Sequence, residues 1–114
     1  MPNDRILSAL SLAQKAGQIK SGEFAVEKAV KEGRACLVIV ARDASDNTKK
    51  KMKNMTDFYE VPLYFYSDKE NLGRRIGKEY RSMVAVTDPG FSDSIENSLN
   101  YISQLNREER AWQK

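Results

Sequence analysis

The side chains of this sequence that are best suited to chemistry are lysines grouped around one aromatic residue. The predicted second helix has an apolar face made of Val26, Ala29 and Val30. With about 100° of rotation per residue, Phe24 points away from that face, on the same side as Lys28 and Lys31. A ring in the first turn of a helix, beside free backbone N–H groups, can stack on a base while lysines hold phosphates. The alternative is that a neighbouring loop covers Phe24 as part of a satellite core.

A second basic stretch runs from a predicted fourth helix into the turn before the last predicted strand. It consists of Arg74, Arg75, Lys78 and Arg81, with Tyr80 between them. Phosphate-binding and stacking side chains are mixed in this way at RNA-binding sites. Arg74 and Arg75 are equally well explained as solvated helix residues. The lysine cluster at residues 49–53 is interpreted as a solvated helix face.

No combination of residues predicts catalysis, a metal site or a cofactor. The sequence has no histidine and one cysteine, which excludes the usual zinc and iron–sulfur sites and histidine-based acid–base catalysis. The stretch from Gly73 to Lys78 is not a Walker loop, because three residues separate its glycines and Glu79 follows the lysine. Cys36 is interpreted as a small buried hydrophobe. The sequence therefore predicts a protein that is not an enzyme and needs no cofactor.

Composition and charge indicate one cytoplasmic domain. The chain has 114 residues, with 19 Lys and Arg against 16 Asp and Glu, and residues 1–53 hold 11 of the basic and 6 of the acidic side chains. The apolar segment 6–13 resembles a signal-peptide core, but Asp4 and Lys15 flank it, and no segment approaches the length of a membrane span. A single cysteine suits a reducing compartment. We expect a monomer with no membrane partner.

The elements that must position these residues alternate between helix and strand. Helices are predicted from Asn3 or Asp4 to before Gly17, from an N-cap at Ser21 to Gly33, over residues 45–55, from Ser67 or Asp68 to Gly77, and from about Ser92. Strands are predicted over residues 18–20, 35–41, 61–66 and 83–87. The run 35–41 is the expected sheet centre, Pro62 places its strand at an edge, and Asp88-Pro89-Gly90 suggests a tight turn. This pattern predicts an α/β sandwich with about four strands and about five helices on both faces.

Several separate blocks of the sequence, in the same order, resemble the kink-turn-binding ribosomal proteins, a family that includes archaeal protein seven-Ae and eukaryotic protein thirty-e. The blocks are Lys20-Ser21-Gly22 leading into residues 26–33, residues 37–41 followed by Asp43, Leu72-Gly73 with Gly77-Lys78, and Tyr80-Arg81 leading into residues 85–90. The resemblance covers about residues 5–95. The Ser21-Gly22-Glu23 start, residues 43–50 and Gly90-Phe91 look most like the bacterial YlxQ branch.

The resemblance implies a three-layer α/β/α sandwich with a mixed sheet and no catalysis. It implies that the start of the second helix enters a kinked internal loop of structured RNA, such as ribosomal RNA, while residues 78–83 touch flipped-out nucleotides. The ribosome and transcription or translation factors are further implied partners. The domain is expected to span residues 1–105, followed by a charged, frayed tail at 106–114. The predicted RNA-binding residues are Lys20, Gly22, Glu23, Phe24, Lys28, Lys31, Arg75, Lys78, Tyr80 and Arg81.

One pair of residues departs from the family pattern. Members usually carry Asn-Glu or Lys-Gln where this chain has Phe24 and Ala25, and that pair reads guanines in sheared G·A pairs. Because Ala25 has no hydrogen-bonding side chain, at least one of those base contacts is absent here. An alternative function is a protein-interaction module of the translation or transcription machinery that kept the fold and lost strong RNA binding. An RNA-modifying enzyme is a weaker alternative.

Overall fold

Five helices and four strands alternate along the part of the chain that the computed structural model describes, which is residues 4–112, with side chains over residues 4–104. The helices are α1 (Arg5–Lys15), α2 (Glu23–Lys31), α3 (Asp46–Phe58), α4 (Lys69–Arg75) and α5 (Pro89–Trp112). The strands are β1 (Ile19–Ser21), β2 (Leu37–Val40), β3 (Leu63–Phe65) and β4 (Met83–Val86). Of the described helices, none is long and apolar enough to cross a membrane.

The four strands form one mixed sheet in the order β1-β4-β2-β3. Strand β4 runs antiparallel to β1 and β2, whereas β2 and β3 are parallel. Every residue of β2 and β4 is buried, which confirms the run 35–41 as the centre of the sheet. Strand β3 is an edge strand, and Pro62 immediately precedes it and accepts a hydrogen bond from the Val38 amide (2.9 Å). The edge position expected from Pro62 is therefore confirmed.

The sheet separates two hydrophobic cores, as a three-layer α/β/α sandwich requires. On one face, α1, α4 and α5 contribute Ile6, Leu10, Leu72, Ile95 and Leu99, which pack on Leu37 and Ile39 of β2. On the other face, α2 and α3 contribute Val26, Ala29, Val30 and Met52, which pack on Val38 and Val40. The alternating side chains of β2 thus divide between the two cores. The fold predicted from the sequence is confirmed.

The N-cap of α2 lies one residue later than the sequence predicts. Ser21 ends β1, and the N-cap is Gly22, which has a φ of +87° and provides no side-chain hydrogen bond. The Gly22 amide donates to the Met83 carbonyl (3.1 Å) and so extends the pairing of β1 with β4 by one residue. The prediction that Ser21 is the N-cap of α2 was wrong, because pairing with β4 keeps this serine in β1.

Helix α5 begins where a tight turn was expected. Pro89 is its first residue, the Asp88 Oδ2 accepts from the Phe91 amide (2.9 Å), and the Asp88 carbonyl accepts from the Ser92 amide (2.9 Å). Asp88 therefore caps a helix, and Pro89 occupies the first helical position, which proline favours. The predicted turn was wrong, and the helix starts three residues before Ser92.

Two helix ends extend beyond their predicted limits. Helix α3 continues past Met55 to Phe58. Helix α5 is helical to Trp112 and includes most of the segment 106–114, whose last two residues lie outside the described part. The domain limit at residue 105 and the frayed tail stay predictions.

Candidate nucleic-acid interface

A groove lies at the end of the sheet where β1 ends and β4 begins. Ser21 pairs with Val84, so the chain that enters α2 lies beside the chain that enters β4. The groove is open to solvent and has a volume of about 420 Å³. Its lining residues are Ser21, Gly22, Glu23, Phe24, Ala25, Tyr80, Arg81 and Ser82. Two segments about 60 residues apart in the sequence therefore form one site.

The first wall of the groove is the N-terminal turn of α2. Phe24 is 82% exposed, which confirms that its ring points away from the core. The first α2 amide bonded within the helix is that of Val26, which donates to the Gly22 carbonyl (3.0 Å). The amides of Glu23, Phe24 and Ala25 precede that bond and give this end of the helix its partial positive charge. The wall thus offers an exposed ring beside backbone N–H groups.

The second wall is the loop before β4, and its arginine is held in place. The Arg81 Nε donates to the Ser21 Oγ (3.2 Å), and an Arg81 terminal nitrogen donates to the Tyr80 carbonyl (2.7 Å). The Arg81 amide donates to the Lys69 carbonyl (3.0 Å), which fixes its backbone as well. The neighbouring Tyr80 side chain is 60% exposed. This wall therefore combines a fixed cation with a free aromatic ring.

Gly73 of α4 brings this loop close to the helix. A Cβ at Gly73 would lie 2.7 Å from the Glu79 carbonyl oxygen and 2.9 Å from the Tyr80 Cα. Such contacts are too short for any side chain, so the loop backbone packs directly against the glycine. The structural role of Gly73 is therefore to allow this close approach of the loop to α4.

A lysine of the 49–53 cluster links α3 to the groove. The Lys51 Nζ lies 3.2 Å from Glu27 and 3.4 Å from Glu23, both on α2. The hydrogen bond to Glu27, and next the one to Glu23, raise the pKa of Lys51. The cluster was interpreted as a solvated face, but one of its members pairs with two carboxylates beside the groove. That pairing lowers the negative charge on this side of α2.

A second pocket, of about 500 Å³, adjoins the groove at Tyr80 and carries acidic side chains. The Asp43 Oδ1 accepts from the Lys69 amide (2.9 Å), and the Asp68 Oδ1 accepts from the Asn71 amide (2.8 Å) as the cap of α4. These carboxylates are thus engaged in local hydrogen bonds. Within the described residues, no three His, Cys, Asp or Glu side chains are placed to hold a metal ion.

The structure gathers five of the ten predicted site residues in the groove lining, which are Gly22, Glu23, Phe24, Tyr80 and Arg81. The other five do not line it. Lys28 and Lys31 are exposed along α2, Lys20 is half-buried on β1, and Arg75 and Lys78 are exposed at and beyond the end of α4. Their contact with RNA stays a prediction.

Three residues outside the ten predicted site residues also line the groove, namely Ser21, Ala25 and Ser82. Ala25 lies at the second position of the family's base-reading pair, and Ser82 lies in the loop at residues 78–83 that the resemblance had indicated. Ser21 was interpreted as a helix cap and as part of the family blocks, and no local pattern indicates that its hydroxyl accepts from Arg81. Lys51 was likewise missed as a partner of α2. Cys36 is half-buried rather than fully buried, and burial, followed by Asp88 and Asp93, raises the pKa of its thiol.

The fold and the groove together define a class of α/β/α domains whose polar site lies between a helix N-terminus and a loop, at one end of a mixed sheet. Residues 4–96 match the model of the Ribosomal protein L7Ae/L30e/S12e/Gadd45 family, and the chain belongs to that family.

Similar proteins agree with this assignment. The RNA-binding protein YlxQ of Bacillus subtilis is 43% identical over 91 residues, which are 80% of this chain and 91% of that protein. A Bacillus halodurans protein of unknown function has a solved structure that is 39% identical, with a TM-score of 0.80, over 83% of this chain and 96% of that one. The Giardia lamblia 15.5kD RNA binding protein has a TM-score of 0.73 over 92% of this chain and 93% of that one. Its identity is 21%, so it bears on the fold alone.

Proposed function

We propose that this protein binds structured RNA at a kinked internal loop of the kink-turn type and catalyses no reaction. The observation that carries the proposal is the groove, which joins the N-terminus of α2 to the loop carrying Tyr80 and Arg81. The major groove of a regular A-form helix is too deep and narrow for protein side chains. Non-canonical pairs widen it, and the exposed Phe24 with its helix N-terminus can then reach the bases.

Family membership and the RNA-binding description of the Bacillus subtilis relative support RNA as the ligand. The arrangement of aromatic and basic groups supports it independently. Phe24 and Tyr80 are exposed rings on opposite walls, and Arg81 lies on the same wall as Tyr80. Exposed rings that stack on bases beside cations that meet phosphates are typical of RNA recognition.

The basic side chains around the groove supply the sequence-independent part of the affinity. Lys28 and Lys31 follow Phe24 on α2, and Lys78 is the first residue of the loop at 78–83. If three to five cations meet phosphates, log K falls with log salt at a slope of roughly 2 to 4.5, at about 0.7 to 0.9 per contact. Replacing Lys28 by alanine lowers that slope by about one. A response that is independent of salt would contradict RNA binding.

The departure at Phe24 and Ala25 changes how bases are read. Neither side chain can hydrogen-bond to a base edge. Phe24 contributes by stacking instead, which is worth about 1 to 3 kcal/mol per base. We expect lower affinity or altered specificity for a standard kink-turn compared with a protein that carries the family's polar pair.

The decisive experiment compares a kinked RNA with a straight duplex of equal length in a gel-shift or fluorescence-anisotropy titration. Both present similar phosphate charge, so purely electrostatic binding gives similar affinities. We expect at least a tenfold preference for the kinked RNA, about 1.4 kcal/mol, and its loss in the double variant Tyr80→Ala, Arg81→Ala. Equal affinity for both RNAs would reject the kink-turn function and favour the protein-interaction module. A preference that survives the double variant would reject only the role of the loop.

The cellular setting forms part of the same proposal. A monomeric RNA-binding protein with one cysteine suits the cytoplasm. The three YlxQ-like features, which are the Ser21-Gly22-Glu23 start, residues 43–50 and the Gly90-Phe91 pair, agree with that setting. Ribosomal RNA, the ribosome, and transcription or translation factors are the proposed partners. Sedimentation of the protein with ribosomal subunits from cell extracts, and its loss from that fraction in the Phe24→Ala variant, tests this placement.

A further inference from the structure

Arg81 is positioned before any ligand binds. Two of its five N–H groups are engaged, one by the Ser21 Oγ (3.2 Å) and one by the Tyr80 carbonyl (2.7 Å). Its remaining three N–H groups have no partner among the described residues. Gly22 lies beside the arginine stem, and a Cβ added to it would make an ordinary contact of 3.9 Å with the Arg81 Cδ. The guanidinium is therefore held at one place in the groove and keeps three N–H donors for a ligand.

The other side chains of the groove leave Arg81 as its main hydrogen-bonding group for a base. Phe24 and Ala25 have no polar atoms, and the Glu23 carboxylate is paired with Lys51 (3.4 Å). Arg81 is the one cationic side chain among the residues that line the groove, where the polar side chains other than Glu23 are single hydroxyls of Tyr80, Ser82 and the Ser21 that holds Arg81. Sequence reading in this protein must then depend on Arg81 to a large extent.

We propose that Arg81 reads the O6 and N7 edge of a guanine and that Ser21 is the residue that positions it. This inference rests on the proposed function, because it assumes that RNA occupies the groove. A sheared G·A pair uses the sugar edge of its guanine, so the O6 and N7 acceptors stay free on the opposite side. A planar arginine fork matches those two acceptors, and this is the commonest specific contact between arginine and a base.

The placement of Arg81 favours a base over a phosphate. Arg81 is half-buried on the second wall of the groove, whereas Lys28, Lys31 and Lys78 are exposed. Phosphates lie on the outside of an RNA strand and are met by exposed, flexible lysines. A recessed guanidinium is instead reached by a base edge that projects into the groove, beside a base stacked on Phe24. Because Ser21 already restricts the orientation of the Arg81 guanidinium, less side-chain conformational entropy is lost on binding.

The test uses a kink-turn duplex with tandem G·A pairs and copies in which each guanine of those pairs is replaced in turn by 7-deazaguanine, which lacks N7. For the unmodified protein, we expect one of the replacements to weaken binding by about threefold to tenfold in anisotropy titrations. Arg81→Met keeps the apolar stem and loses every N–H donor, so it should bind the normal and the modified RNA equally, with lower affinity for both. Ser21→Ala should reduce the discrimination while keeping the salt slope. Ser82→Ala, a serine of the same groove, is the matched control and should keep the full discrimination.

The outcomes separate this inference from the proposed function. If the unmodified protein shows no preference for the kinked RNA, the proposed function fails. If it prefers the kinked RNA but binds every 7-deazaguanine copy as tightly as the parent, the guanine contact is wrong and the proposed function stands. That arm needs no variant, so a folding defect cannot obscure it. Full discrimination in Arg81→Met would also overturn the guanine contact, and full discrimination in Ser21→Ala would overturn the positioning role.

Discussion

Replacing Gly73 by alanine tests whether α4 sets the position of the groove's second wall. The new Cβ would lie 2.7 Å and 2.8 Å from the Glu79 carbonyl oxygen and carbon, and 2.9 Å from the Tyr80 Cα. These are backbone atoms that cannot rotate aside, so the loop must move by about 0.7 Å to bring the shortest contact to an ordinary distance. Overpacking costs about 1 to 3 kcal/mol, and the better helix propensity of alanine offsets about 1 kcal/mol. The expected loss of unfolding free energy in urea is about 0 to 2 kcal/mol.

The same shift acts on the proposed RNA contacts. The bond from the Arg81 Nε to the Ser21 Oγ is already 3.2 Å long, so a movement of this size breaks it or turns the arginine. We expect the affinity of Gly73→Ala for kinked RNA to fall at least tenfold, about 1.4 kcal/mol, while binding to a straight duplex changes little.

Gly33→Ala is the matched control for Gly73→Ala. Gly33 has a φ of +73° and open space around its Cβ position, so alanine there costs about 1 to 2 kcal/mol through backbone strain alone. It follows the C-terminal end of α2, about 14 Å along the helix from the groove. Both variants should thus lose similar stability, and only Gly73→Ala should lose affinity. Equal affinities of the two folded variants in anisotropy titrations would refute the positioning role of Gly73.

Three other perturbations have defined outcomes. Phe24→Ala should leave the melting temperature nearly unchanged, because the ring is 82% exposed, and should weaken RNA binding by about 1 to 3 kcal/mol; a lower melting temperature with intact affinity would contradict this. Lys51→Ala should weaken RNA binding more than the neighbouring Lys50→Ala, since the loss of Lys51 leaves the Glu23 and Glu27 carboxylates without their cation. Equal losses of RNA affinity in the two variants would contradict this role of Lys51. Burial, followed by the Tyr66 hydrogen bond to Asp4 (2.7 Å), raises the pKa of Tyr66 from 10.0 to about 12. Because the fold favours the protonated phenol, the contribution of Tyr66 to stability is complete below about pH 10 and is lost as the pH rises to about 12. The unfolding free energy measured in urea should therefore fall less steeply with pH over this interval in Tyr66→Phe than in the unmodified protein.

The sequence patterns predicted those features that depend on neighbours within one element. The alternation of helices and strands predicted the sandwich, and the helical period predicted the exposure of Phe24, because both depend on local spacing. Pro62 predicted an edge strand since it lacks a donor for the sheet. The resemblance supplied the pairing of the α2 start with the loop at residues 78–83.

The features that were missed depend on contacts between distant segments. The bond between Ser21 and Arg81 joins residues 60 positions apart, and the packing of Gly73 against the loop depends on how α4 docks. Asp88 and Pro89 suit both a turn and a helix start, and local preference alone does not decide between them. Gly22 replaced Ser21 as the cap because the sheet extends one residue further than propensity suggests.

Because Ser21 ends β1 and Arg81 lies two residues before β4, the ladder between these strands sets the width of the groove before any RNA arrives. A groove of fixed width does not adapt its shape to its ligand, so with the proposed kinked RNA as ligand the free-energy cost of bending falls on the RNA. The apparent dissociation constant is then the intrinsic constant divided by the fraction of RNA molecules that are already bent. Divalent cations that favour the bent form should tighten binding without contacting the protein. By the same linkage, the protein should hold the RNA bent at cation concentrations where the free RNA is extended.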